Sequence, residues 1–325
     1  MADMTGTTQD TRNIDLLMVG PLAPALIDEI GGRYRLHRWW ELDDRQAFLE
    51  GPGRAVRGIV TSGRFGATKT LIDSLPRLEA VVSQGVGYDT VDVAAARARN
   101  VVVTNTPGVL DDCVADAALA LILAVSRRIC EADRYVREGR WPEEGFRLGR
   151  KIGGKRCGIV GLGNIGRQIA ARAEAFGMSI AYYNRSPRSD VPARYRYCAD
   201  VVTLAGESDY LVLAVPGGPQ TRHLVGAAVL RALGPEGVLV NVARGSVVDE
   251  AALVQALQGG VIAGAGLDVF EHEPQVPQAL KEMTQTVLLP HIASATVETR
   301  QAMSDLVLSN LDGWFAHGKA VTPVP

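Results

Sequence analysis

The stretch "CGIVGLGNIGRQIAARAEAFG", residues 157 to 177, constrains the fold more than any other part of the chain. An apolar run ends at Gly161, Gly163 and Gly166, spaced G-x-G-x-x-G, and a segment with helical spacing opens at once. Glycines so placed let a strand turn tightly into a helix, let the backbone approach a diphosphate, and let helix and strand pack closely. Peptide N–H groups at the helix start then face the anion. Glycine is common, so the spacing alone is weak. Here the strand before it, the helix and the next strand, "MSIAYYN", supply the setting the motif needs.

The rest of the chain has the same texture. The runs "IDLLMV", "GIVTS", "AVVSQG" and "VVVTNT" read as buried parallel strands, with helical spacing between them in "APALIDEI", "TKTLIDSLP" and "DVAAARARN". One long helical stretch is expected from about residue 111 to residue 139. A second series comes after the glycines, with "YLVLAVP", "GVLVNVARG", "AGAGLDVF" and "TVLLPH", and one more helix closes the chain after His291. Continuous apolar strands without alternation belong to parallel sheets covered by helices on both faces. The expected fold is α/β, with two Rossmann-like or flavodoxin-like domains, each a doubly wound parallel sheet. The first series is incomplete, and the final helix can return to it. The expected division is therefore a substrate-binding domain of residues 1–105 plus 292–325, with an NAD(P)-binding domain of residues 106–291 inserted into it.

Composition narrows the function classes. The 325 residues are 47% hydrophobic and 22% charged with a net charge of −2, which gives no basic footprint for nucleic acid. The longest apolar run, "AALALILAVS", is half the length of a membrane span. The N-terminus "MADMTGTTQDTRN" is polar and lacks the apolar segment of a secretory signal. Cys113, Cys130, Cys157 and Cys198 fall singly, without metal-ligand spacing, and read as buried thiols in a reducing compartment. A cytoplasmic protein with no metal, no membrane contact and no nucleic-acid partner is expected.

The stretch "AYYNRSPRSD", residues 181 to 190, bears on which dinucleotide binds. About twenty residues beyond the glycines an acidic residue normally bonds the ribose hydroxyls of NAD. Asn184 stands there instead, followed by Arg185, Ser186 and Arg188. A carboxylate beside a 2′-phosphate is repelled by up to roughly 4 kcal/mol at intermediate dielectric, and less once solvent screens it. An amide with guanidinium forks turns the site toward phosphate. NADPH is expected to be preferred, with NADH possible. The other reading of these residues is an ordinary surface loop.

Three polar residues come after apolar strands of the second series: Arg244 in "VNVARGSVVDE", Glu273 in "LDVFEHEP" and His291 in "LLPHIAS". Ligands of open parallel sheets bind beyond the carboxyl ends of the strands, so the three can converge on a nicotinamide. Hydride transfer to a ketone needs a proton donor at the developing alkoxide, a task suited to His near neutral pH. A carboxylate beside an imidazole orients it and favours its charged form. Arg holds a keto acid's carboxylate with a planar pair of donors. Each residue alone is more often structural. Their order around a dinucleotide fold is what gives them weight.

The ordered set "GLGNIG", "NVARGSVVDE", "GLDVFEHEP" and "LPHIASAT", with "SQGVGYDTVD" and "NTPGVLDDCVADAALALILAVSRRI", resembles the D-isomer-specific 2-hydroxyacid dehydrogenase family. Within it the sequence is most similar to the glyoxylate/hydroxypyruvate reductases and their hydroxyphenylpyruvate-reducing relatives. The resemblance implies that Arg244 binds and polarises the keto acid, His291 is the acid/base and Glu273 is its partner. It assigns the substrate carboxylate to the N–H groups of Val86 and Gly87, with Ser294 beside the His. It places cofactor contacts at Gly163, Asn164, Ile165, Asn184, Arg185, Ser186, Val215, Pro216, Val242, Asp268 and Ala293, beside Gly161, Gly166 and Arg188 as read from the glycine motif and the arginine-bearing stretch. It also implies a homodimer in which Trp141 reaches the partner's active site, the alternative being a Trp packed within its own subunit. Arg64 and Phe65 in "TSGRFG" are candidates for a second anion contact and for setting pocket size.

The expected activity is therefore NADPH-preferring reduction of small 2-keto acids to D-2-hydroxy acids. Hydroxypyruvate and glyoxylate are the leading substrates, giving D-glycerate and glycolate. A hydroxyphenylpyruvate-type or other D-2-hydroxyacid dehydrogenase is the alternative within the family. A dinucleotide-sensing binding protein is the alternative outside enzymes, because such a protein could keep the same three residues.

Overall fold

The structure, a computed structural model, describes residues 11–142 and 145–325. Most of the N-terminal stretch read for a secretory signal therefore lies outside the described residues, as do Glu143 and Glu144. The chain divides into two compact units, Met1–Leu110 with Val297–Pro325, and Asp111–Thr296.

The first unit holds a five-stranded sheet of β1 (Asp15–Met18), β2 (Arg35–Arg38), β3 (Val56–Ser62), β4 (Ala80–Gln84) and β5 (Val102–Thr104). Its order is β2-β1-β3-β4-β5 and every pairing is parallel. Strands β1 and β4 are buried throughout, which explains their unbroken apolar runs. The closing helix, Val297–His317, belongs to this unit. It sets Val307, Leu308, Leu311 and Phe315 against Leu16, Met18, Val60, Ala80 and Val82. Each such large apolar side chain contributes about 1.5–3 kcal/mol on burial. The chain end is tied down by Asn310, which is fully buried and whose Oδ1 accepts from Val321 N (3.0 Å) and Thr322 N (2.9 Å).

The second unit holds β6 (Arg156–Val160), β7 (Ser179–Tyr183), β8 (Arg196–Cys198), β9 (Tyr210–Leu213), β10 (Val238–Asn241), β11 (Gly264–Leu267) and β12 (Thr286–Leu288). The order is β12-β11-β10-β9-β6-β7-β8, again all parallel. The chain leaves β6 toward β7 on one side and returns to β9 on the other. That reversal of direction is where open parallel sheets bind ligands. Each unit is thus a parallel-sheet α/β body of the kind that the apolar runs imply.

Three expectations need correction. The helical stretch of residues 111–139 is two helices, Asp111–Arg127 and Ile129–Arg137, because Arg128 takes a left-handed conformation (φ 54°) and breaks the hydrogen-bond ladder. No Gly or Pro marks that break. Strands β2 and β8 are unanticipated, since both lie at sheet edges and carry polar sequences, "RLHR" and "RYC". Of the four free thiols, Cys157 and Cys198 are buried, but Cys113 is half-buried and Cys130 is exposed. Burial alone pushes the Cys157 thiol up to about 12. Cys130 sits in the first turn of a helix whose one buried residue is Tyr135. Among the described residues, no helix is long and apolar enough to cross a membrane.

Candidate active site

Strands β10, β11 and β12 are neighbours in the sheet, and Arg244, Glu273 and His291 lie on the turns after them. Parallel pairing therefore delivers all three to one edge. The turn after β10 is braced by Asn241, 1% exposed, whose Oδ1 accepts from Ala243 N (3.0 Å) and whose Nδ2 donates to the Arg244 carbonyl (2.9 Å). Gly245 lies so close to the Phe270–Glu271 backbone that a Cβ would overlap the Phe270 carbonyl carbon. Only glycine permits that approach, and it holds the Arg244 turn against the Glu273 turn. The helix that comes next, Glu250–Gln258, is capped by Asp249, which accepts from Ala252 N at 3.0 Å and contributes about 0.5–2 kcal/mol.

His291 is held just as firmly. Its φ is 54°, an uncommon conformation for a side-chain-bearing residue. Its N–H donates to the Asp268 carbonyl (2.9 Å). The Asp268 carboxylate accepts from Ile292 N (2.7 Å) and Ala293 N (3.0 Å), and the residue is 1% exposed. Burial raises the Asp268 carboxyl, and the two amides with His291 offset only part of that rise. Asp268, expected among the cofactor contacts, thus has both oxygens on the backbone of the His291 turn.

The His291 Nδ1 meets Glu273 Oε2 at 2.8 Å, and Glu273 Oε1 accepts from Phe270 N at 3.1 Å. Burial would raise the Glu273 carboxyl. The His291 hydrogen bond and charge, the Phe270 amide and the Arg244 charge outweigh it and leave the group below its ordinary value. An ionised Glu273 accepts from Nδ1, which leaves the opposite ring nitrogen, Nε2, available to carry or take up a proton. Arg244 itself donates Nη1 to the Ala243 carbonyl at 2.8 Å.

At the reversal between β6 and β9, Gly161 adopts a φ of 97°, and a Cβ on it would meet the Ala214 carbonyl oxygen at 2.7 Å. A Cβ at Gly166 would overlap the Gly161 carbonyl oxygen. Both glycines are demanded by protein packing. Gly163 is not: it precedes the helix Asn164–Ala175, and a Cβ there would meet nothing within 4 Å. Open space in front of a helix N-terminus is the room a pyrophosphate would need, so these residues fit a dinucleotide. Exposed Asn164 and half-buried Ile165 open the helix, half-buried Val215 and exposed Pro216 come after β9, and buried Val242 comes after β10. Ala293 is buried and Ser294 half-buried beside the His291 turn.

Beyond β7, Asn184 Oδ1 accepts from Leu162 N at 2.7 Å and so ties this loop to the glycine turn. Arg185 and Ser186 are exposed, Arg185 reaching Gln220 Oε1 at 3.3 Å. Arg188 is already engaged, with Nε and Nη2 donating to the two oxygens of Asp190 at 2.8 and 2.7 Å. Arg167 Nη1 reaches the same carboxylate at 3.0 Å. The Arg188 pairing chiefly pulls Asp190 down to about 2. The expectation for this loop rested on its arginines and passed over Asp190, an acid within the same ten residues.

In the first unit, Val86 and Gly87 come after β4 on a cross-braced loop. Gly85 N donates to Thr106 Oγ1 (2.9 Å), and Asn105 Nδ2 donates to the Val86 carbonyl (2.8 Å). Arg64 is exposed and lies over the Phe65 ring, 5.5 Å from its centroid, on the loop after β3. Trp141, in the second unit, is 68% exposed, so it is not packed within its own subunit among the described residues.

Comparison with known proteins gives the family of the chain. Residues 119–293 match the model of the D-isomer specific 2-hydroxyacid dehydrogenase NAD binding domain. Hydroxyphenylpyruvate reductase of Plectranthus scutellarioides is 48% identical over 96% of this chain and 99% of its own length. Glyoxylate/hydroxypyruvate reductase A of Arabidopsis thaliana is 47% identical over 96% and 99%. The crystal structure of an NADPH-dependent glyoxylate/hydroxypyruvate reductase from Sinorhizobium meliloti, in complex with NADP and malonate, superposes with a TM-score of 0.90. It shares 47% identity and covers 96% of this chain and 97% of that one. The chain belongs to the D-isomer specific 2-hydroxyacid dehydrogenase family.

Proposed function

We propose that the protein is an NADPH-preferring reductase of small 2-keto acids, hydroxypyruvate and glyoxylate first, yielding D-glycerate and glycolate. The observation that carries this reading is the 2.8 Å contact of His291 Nδ1 with Glu273, on the turn next to Arg244. A reduced nicotinamide supplies the hydride when bound. The chain's own residues do the rest. Arg244 pairs with the keto acid and polarises its carbonyl, and the N–H groups of Val86 and Gly87 take up the substrate carboxylate. His291 gives the Nε2 proton to the oxygen that becomes the hydroxyl, and Glu273 holds the ring in place. Ser294, Arg64 and Trp141 shape the space around the substrate, with Trp141 reaching a partner subunit in a homodimer. Its 68% exposure supports that role. Four free thiols suit a reducing cytoplasmic setting.

The NADPH preference rests on Asn184 in place of an acid and on Arg185, Ser186 and Arg188, with Asp190 as an opposing charge. The likeness to a reductase named NADPH-dependent supports it. A second reading, reduction of hydroxyphenylpyruvate, is favoured by the 48% identity to an enzyme so named. Steady-state rates with NADPH on glyoxylate, hydroxypyruvate and hydroxyphenylpyruvate, with chiral analysis of the product, separate the two. The highest kcat/KM is expected on hydroxypyruvate, with a D product. Cofactor binding without turnover on any of the three would favour a dinucleotide sensor instead.

A further inference from the structure

A second His–carboxylate pair lies beside the first. His223 Nε2 meets Glu271 Oε1 at 2.8 Å, and Arg222 Nη2 reaches the same oxygen at 2.8 Å. Glu271 is two residues before Glu273, on the same turn, and its side chain is only 10% exposed. Burial opposes its charge, but His223 and Arg222 together keep the carboxyl below its ordinary value. It therefore accepts from the His223 ring around neutral pH. Its own N–H donates to Glu250 Oε1 at 3.3 Å.

The main chain of the same segment goes to the other turn. His223 N donates to the Ser246 carbonyl at 2.8 Å and Val225 N to the Val247 carbonyl at 3.0 Å, while Asp249 N donates back to the Val225 carbonyl at 3.0 Å. These bonds run alongside the turn that opens with Arg244. His223 makes both sets of contacts from a φ of 51°, a conformation that side-chain-bearing residues seldom adopt. One residue thus laces the Arg244 turn by its backbone and the Glu273 turn by its ring.

We propose that His223 is a positioning residue for the reaction, fixing Arg244 and the Glu273–His291 pair relative to each other without touching substrate. This rests on the catalytic roles proposed for Arg244, Glu273 and His291. A misplacement of about 1 Å at a reacting group can cost on the order of a hundredfold in rate, so a brace two residues from each group has leverage.

Three variants test it: His223→Leu removes the ring donor and keeps bulk, His223→Gln restores a donor of similar reach, and His223→Gly relieves the backbone strain without a donor. Leu and Gly are expected to lower kcat by roughly ten- to a hundredfold. Gln should recover most of that loss, and NADPH affinity by fluorescence titration should stay unchanged in all three. Gly should melt above Leu while being no more active. Losses that track melting temperature across the series, or a Leu variant with the parent kcat, would overturn the inference. Imidazole nitrogen NMR gives a readout that needs no turnover. The His291 ring signals should shift in His223→Leu, and unchanged signals overturn the inference whatever the substrate. Shifted His291 signals in a protein that reduces no keto acid would support the brace and count against the functional reading instead.

Discussion

Asp268 and Asp190 are both aspartates beyond the carboxyl ends of strands in one sheet, and their surroundings are opposite. Asp268 is 1% exposed, with both oxygens on backbone N–H groups, and burial raises its carboxyl. Asp190 is exposed, with its oxygens on the Arg188 and Arg167 guanidinium groups, and Arg188 chiefly pulls it down to about 2. On the roles proposed above, the difference separates two tasks. Groups that do chemistry must be held within tenths of an ångström, so their turns are fixed by the main chain and by buried polar side chains. The choice of cofactor needs only a charge balance at the surface, which exchangeable side chains can provide.

The largest effect belongs to the braced region. His291→Ala is expected to lower kcat by about 10²–10⁴-fold while NADPH titration still shows binding. A His291→Ala enzyme with most of its kcat would remove the acid/base role. Asp268→Asn comes next. It presents an amide donor to one of two N–H groups, so about 1–3 kcal/mol of stability should be lost in denaturant unfolding, with kcat falling alongside. Loss of stability alone, at the parent kcat, would show that the clamp does not position His291.

The exposed loop should behave differently. Arg185→Ala and Arg188→Ala are each expected to raise the KM for NADPH by roughly five- to tenfold, with the KM for NADH and the melting temperature unchanged. Glu273 links pH to the comparison. Its carboxyl lies below the ordinary value in the folded state, so its contribution is present above the unfolded pKa and is lost as pH falls through the lower folded one. Melting curves of the parent and of Glu273→Gln should therefore differ at neutral pH and converge only on the acid side of the usual carboxylate range. The smallest effect is expected from Asp190→Asn, which frees Arg188 and Arg167 and should lower the KM for NADPH by about twofold to fourfold. A rise instead would mean that Asp190 arranges the arginines rather than competing for them.

Much of this was legible in the chain itself. "VGLGNIGR" dictates its own fold, since Gly161 and Gly166 are forced by contacts with the neighbouring turn. The runs ending in "NVARG", "LDVF" and "LPH" announce three strands, and parallel pairing gathers the turns after them at one edge. Two of the four edge strands, β5 and β12, show as apolar runs, but β2 and β8 were not legible, because "RLHR" and "RYC" pair on one side only and carry polar sequences. The break at Arg128 was hidden for want of a Gly or Pro. Asn241 and His223 were missed for different reasons: Asn241 braces its own turn through main-chain groups two and three residues on, as an ordinary turn residue would, whereas His223 bonds a carbonyl and a carboxylate of distant turns, which leave no trace in spacing.

The most direct test compares initial rates of reduced-nicotinamide absorbance loss with hydroxypyruvate, NADPH and NADH in parallel. A fast NADPH reaction and a much slower NADH reaction are expected from a rigid catalytic edge joined to an arginine-bearing loop. Equal or better kcat/KM with NADH would contradict the role given to Arg185 and Arg188, and no reaction with either cofactor would contradict the role given to His291.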